Sequence, residues 1–205
     1  VLENLFAKNK DRNDKMIEER RISILENASR LFDVRSPVNV SLRDVASAAN
    51  VSKSLILKEW KTRSYFIIAV LEFERQKIAD IWLDIDEDSS LETLCFKILS
   101  SYRVNPRYFS LFAKVSIDCH DEEIQKWQRE RSIYADFKGI IQKLRMQPEL
   151  QQWSPEAIAM FASICTFGLP ALGPNIMNWF DFPNEKRANI ESETLMLFMQ
   201  AMVGR

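Results

Sequence analysis

The chain has 205 residues, of which 46% are hydrophobic and 28% charged, with only 4 Gly. That balance supports one or two globular cores and excludes a disordered, collagen-like or low-complexity protein. The formal net charge of −1 hides an asymmetry: residues 1–63 carry 13 basic against 9 acidic side chains, and residues 64–205 carry 15 against 20, so the N-terminal end suits a polyanionic partner.

In chain order, the first amphipathic segment is Ile24, Leu25, Ala28, Leu31 and Phe32, whose spacing predicts a helix that Pro37 prevents from continuing past Ser36. Ser41-Leu42-Arg43-Asp44 reads as a capping box, with Ser41 accepting from the first turn and Asp44 reaching back. Leu42, Val45, Ala46 and Ala49 then form one apolar stripe of a short helix, and Asn50 stands where a left-handed residue is needed to reverse the chain. Ser52 caps the next helix, which turns Val51, Ile56 and Trp60 inward and leaves Lys53, Ser54 and Lys58 free near its start. Thr62 caps a long helix expected from about residue 63 to 85, carrying Ile67, Leu71, Ile78, Ile81, Trp82 and Ile85 into an acidic stretch.

Beyond it, Ser90 opens a helix to about residue 103, Asn105-Pro106 breaks the chain, and an aromatic-rich helix spans about 108–119. Asp121 starts a longer one toward residue 146. Ser154-Pro155-Glu156 places a cap, a proline in the first turn and an acid beside it, starting a helix that ends near residue 169, and Asn184-Glu185 begins the last. The expectation is an all-α protein: an N-terminal three-helix unit over 1–63, and a second helical unit over 64–205 entered through the bridging helix.

Arg21-x-x-Ile24-Leu25-x-x-Ala28-x-x-Leu31-Phe32, the run Ser41 to Lys53, Trp60 and Arg63 together resemble the N-terminal domain of the TetR family of bacterial one-component regulators. The match covers about fifty residues and fixes order, spacing and caps together. The resemblance implies a DNA-reading helix-turn-helix, a divergent helical ligand-binding and dimerisation domain, and a partner in double-stranded, pseudo-palindromic DNA. It departs from the family at Ser36 and Asn50, where Gly is common. In the recognition helix, Leu55 and Leu57 replace hydrogen-bonding groups.

On this reading Arg43, Lys53, Ser54 and Lys58 meet base edges, with Leu55 available for a thymine methyl and Leu57 on the same helix. Ser41, Arg63 and the stretch Lys8, Lys10, Arg12 and Lys15 meet phosphates. Phe109, Phe112, Trp127, Tyr134, Phe137, Met160 and Phe161 have the composition of a pocket for an apolar or aromatic effector, and equally that of a core. The helix from Ser154 is apolar nearly all round and the last helix has a wide apolar surface, so Ile158, Cys165, Leu195, Phe198 and Met202 are expected at a homodimer contact; completing one subunit's core is the alternative.

Three cysteines without paired spacing and a single His120 offer neither a disulfide framework nor a metal cage, and no nucleophile elbow or phosphate loop is present. No enzyme activity and no cofactor or metal are expected. With no signal peptide and no apolar run of ~18 residues, a soluble cytoplasmic chain is expected. The leading function is a repressor released by a small ligand. The competing one is a TetR-like dimer working through a protein partner with weak or lost DNA binding, suggested by Leu55 and Leu57.

Overall fold

The computed structural model describes residues 2–82 and 91–131, and in isolation residue 193. The described residues are helical throughout: α1 Leu2–Val34, a 3-10 turn Pro37–Asn39, α2 Leu42–Ala48, α3 Lys53–Trp60, α4 Arg63–Gln76, a 3-10 turn Ala79–Trp82, α5 Leu91–Val104, α6 Pro106–Asp118 and α7 Glu122–Arg131. The expected all-α class holds over them.

One apolar core runs through these helices. Ile24, Ala28 and Phe32 of α1 meet Val45 and Ala46 of α2, Ile56 and Trp60 of α3, and Phe66, Ile67, Val70 and Leu71 of α4. Phe66 is the pivot, with Phe32 and Trp60 packed edge-to-face on it at centroid distances of 6.4 and 5.1 Å. The same core continues without a break into Tyr108, Phe109, Phe112 and Val115 of α6 and Ile124 and Trp127 of α7.

Two elements differ from the sequence expectation. Helix α1 begins at Leu2 and is 33 residues long, about 50 Å. Its N-terminal half lacks Gly and Pro, and about its middle i,i+4 and i,i+3 pairs join Lys15 to Glu19 at 3.9 Å and Arg21 to Glu18 at 3.5 Å. Such a segment has no apolar stripe for periodicity to find. Its C-terminal end is closed by α6, whose Lys114 Nζ donates to the carbonyls of Phe32 at 3.1 Å and Asp33 at 2.5 Å, while Arg107 pairs with Asp33 and Ser36 donates to Asp118.

The bridging helix, expected to reach about residue 85, ends at Gln76 and passes through Lys77 and Ile78 into the second 3-10 turn. Asn105 Nδ2 donates to the Glu74 carbonyl at 2.8 Å, and the Ile78 N–H bonds the Arg75 carbonyl at 3.1 Å instead of continuing the α ladder. A residue 31 positions away therefore helps to end the helix. The Asn105-Pro106 break appears as expected, with Asn105 before α6 and Pro106 in its first turn. Asp121 accepts the Glu123 N–H at 3.0 Å and opens α7, whose continuation toward residue 146 lies outside the described residues.

Candidate nucleic-acid interface

The expected capping box forms at the start of α2. Ser41 Oγ accepts the Asp44 N–H at 3.2 Å, and Asp44 Oδ2 accepts the Ser41 N–H at 2.8 Å and its hydroxyl at 2.8 Å. These bonds hold the Asp44 carboxyl below its ordinary range, so it is ionised beside the positive helix end. Helix α2 closes at Asn50, whose φ of 53° is left-handed; the Val51 N–H returns to the Ala46 carbonyl at 2.9 Å and the Asn50 N–H to Ser47 at 3.2 Å. That is a Schellman closure. Ser52 then caps α3, accepting the Leu55 N–H at 3.2 Å, with its hydroxyl 2.9 Å from that of Ser54.

These local bonds fix which side chains face out. Lys53, Ser54 and Lys58 of α3 are exposed, as are Ser41 and Arg43 at the start of α2. Ile56 and Trp60 are buried, and Leu55 is partly buried and packed against the core. Leu55 was expected on the open face; part of its side chain packs against the core and part stays open. Leu57 is half-buried between the two sides.

Arg63 has an engagement that spacing did not anticipate. It stands at the first position of α4 and its Nη2 donates toward the carbonyls of Pro37 at 2.6 Å, Val38 at 3.1 Å and Val40 at 3.0 Å. The guanidinium thus braces the 3-10 turn ahead of α2. Two more braces escaped the sequence reading. Arg21 Nε of α1 lies 2.9 Å from Glu59 of α3, and Thr62, the α4 cap, accepts the Tyr65 N–H at 3.1 Å and donates to Glu123 of α7 at 3.2 Å. Lys61, between α3 and α4, has φ 61° and ψ −57°, and the Thr62 N–H returns to the Trp60 carbonyl at 2.6 Å, a γ-turn with positive φ in a non-Gly residue. Nothing in the local sequence signals it.

The residues read as a possible effector lining are part of the packed interior where they are described. Phe109 and Phe112 are fully buried and Trp127 nearly so. Phe109 stacks edge-on to Tyr102 and Tyr108, Phe112 lies 6.3 Å from Trp127, and Trp127 Nε1 donates to Glu72 of α4 at 2.7 Å. Tyr134, Phe137, Met160 and Phe161 lie outside the described residues, as do Ile158, Cys165, Leu195, Phe198 and Met202. Cys119 is a buried thiol, pushed up by burial and by the charge of Asp118, and His120 beyond it is exposed.

No family model matches the sequence, and no curated protein matches it. Among solved structures, the crystal structure of a TetR-family transcriptional regulator from Streptomyces coelicolor matches with a TM-score of 0.54 at 20% identity, over 92% of this chain and 88% of that one. The chain has the TetR-regulator fold. Among the described residues no helix is long and apolar enough to cross a membrane.

Proposed function

We propose that the chain is a DNA-binding transcriptional regulator built as a helix-turn-helix unit over 1–63 and a helical unit over 64–205. The observation that carries this reading is the twice-capped, Schellman-closed pair α2–α3, on which Arg43, Lys53, Ser54 and Lys58 are exposed while Val45, Ala46, Ile56 and Trp60 are buried. Lys53, Ser54 and Lys58 read base edges; Ser41 and Arg43 lie beside the DNA backbone and the groove edge, and Leu57 flanks them. Lys8, Lys10, Arg12 and Lys15 of α1 add phosphate neutralisation.

The regulator is a homodimer paired through its last two helices, with Ile158, Cys165, Leu195, Phe198 and Met202 at the contact, and it represses until an apolar or aromatic effector binds. The aromatic interior that includes Phe109, Phe112 and Trp127, with Tyr134, Phe137, Met160 and Phe161, surrounds that effector. The test is a mobility-shift titration on the DNA upstream of the protein's own gene, at matched salt, for the natural protein and Lys53→Ala. The natural protein should prefer a pseudo-palindrome over random duplex, and Lys53→Ala should lose most of that preference. Equal binding to all sequences by the natural protein, or none, rejects the reading.

A further inference from the structure

Glu74 is the one carboxylate among the fully buried side chains of the described residues, and it sits two residues before the end of α4. Three donors from three places converge on it. Ser29 Oγ of α1 donates to Oε1 at 2.5 Å, Lys77 Nζ approaches the same oxygen at 2.9 Å, and Asn105 Nδ2, at the junction of α5 and α6, donates to Oε2 at 2.8 Å. Asn105 also holds the Glu74 backbone carbonyl. Ser29 and Asn105 are themselves buried. Burial opposes ionisation, but the bonds from Ser29, Lys77 and Asn105 and the Lys77 charge outweigh it and hold the carboxyl below its ordinary range.

A buried charge is a weak device for stability, because taking it out of water offsets much of what its partners return, and replacing a buried charge together with its partners by apolar side chains is often neutral or stabilising. What a carboxylate supplies that an apolar side chain does not is direction: its oxygens fix where Ser29 and Asn105 must lie. Helix α1 carries Ile24, Ala28 and Phe32, the surface on which α2 and α3 rest. Helix α6 starts at Asn105-Pro106 and closes the far end of α1 through Lys114. We propose that Glu74 is a positioning residue, whose carboxylate fixes α1 and the α5–α6 junction in one setting and thereby sets how the recognition helix is presented to DNA. The inference rests on the DNA-binding reading above and adds to it the residue that joins the two units.

The test separates affinity from stability in the full chain. Glu74→Met leaves the buried Ser29 hydroxyl and an Asn105 N–H without their acceptor and should melt lower, yet at a temperature where it is fully folded it should bind the operator between about fivefold and about a hundredfold more weakly, the range of ordinary coupling between sites. Amide exchange of Tyr108, whose N–H bonds the Asn105 carbonyl at 3.2 Å, should speed up while that of α2 and α3 stays unchanged. If Glu74→Met does not fold, Asn105→Ala, which keeps the Ser29 and Lys77 bonds, should melt lower and show the same loss of affinity while fully folded. Natural affinity in a folded Glu74→Met, or an affinity loss that only follows loss of folded protein, overturns the proposal. Failure of the natural protein to bind DNA would instead reject the function on which it rests.

Discussion

Arg63 and Lys53 carry the same charge a few residues apart and illustrate how position divides the work of cations. Lys53 is exposed at the start of α3, so its loss should leave stability within about 0.5 kcal/mol of the natural protein and act on DNA alone. Arg63 donates toward three carbonyls of the turn that leads into α2, bonds of the charge-assisted kind that contribute about 1.5–3 kcal/mol. Arg63→Ala should therefore lower the urea midpoint at unchanged slope, and do so without any DNA present. A natural midpoint in that variant would return Arg63 to the role of a phosphate contact, visible as a fall of about one unit in the salt slope of binding. The difference between the two side chains was not legible in the sequence, because the carbonyls of Pro37, Val38 and Val40 are gathered more than twenty residues upstream.

At the scale of elements, whatever is signalled within four residues was legible and whatever depends on a distant partner was not. Ser41 with Asp44, Ser52 and Thr62 each cap the helix expected of them, and Asn50 takes its left-handed turn. The outward set Lys53, Ser54 and Lys58 could likewise be read from caps and spacing. The end of α4 could not, since Asn105 takes part in it; Glu74 falls on the same stripe as Ile67, Leu71 and Ile78, but the Ser29 and Asn105 partners that hold a carboxylate there lie far away in the chain and leave no local signal. The polar half of α1 has no stripe, and the partial burial of Leu55 depends on packing against neighbouring helices. The γ-turn at Lys61 belongs with these hidden features. A non-Gly residue at φ 61° and ψ −57° costs on the order of 1–3 kcal/mol, which glycine avoids in part. Lys61→Gly should consequently raise the melting temperature by a few degrees despite the added freedom of the unfolded chain. A lower melting temperature would show that the aliphatic part of Lys61 contributes more by packing than its backbone costs.

At the scale of the whole molecule, the proposed helix-turn-helix with four exposed polar contacts would by itself cover too little of a groove for a specific site, which is why the proposal includes pairing of two copies. The N-terminal end carries the excess of basic side chains and the remainder the excess of acidic ones, so two copies joined through their C-terminal helices present both basic ends to one duplex without drawing it onto the acidic halves. Held this way, the two α3 helices must meet successive major grooves ~34 to 36 Å apart, and any effector that shifts this separation acts only through its differential affinity for the two settings. The pairing surface is proposed over 154–169 and 184–202 because their sequence spacing puts apolar side chains on more than one helical face. Phe198→Glu places a charge there, and its desolvation against a symmetry-related copy should convert the dimer to monomer and abolish palindrome binding together, while binding to random duplex falls far less. Sedimentation velocity at micromolar concentration reads the first effect and a paired titration on palindrome and half-site the second. A Phe198→Glu protein that sediments as a dimer and holds the palindrome with natural affinity would place the contact elsewhere, and one that becomes monomeric yet still prefers the full palindrome would show that pairing is driven by the DNA.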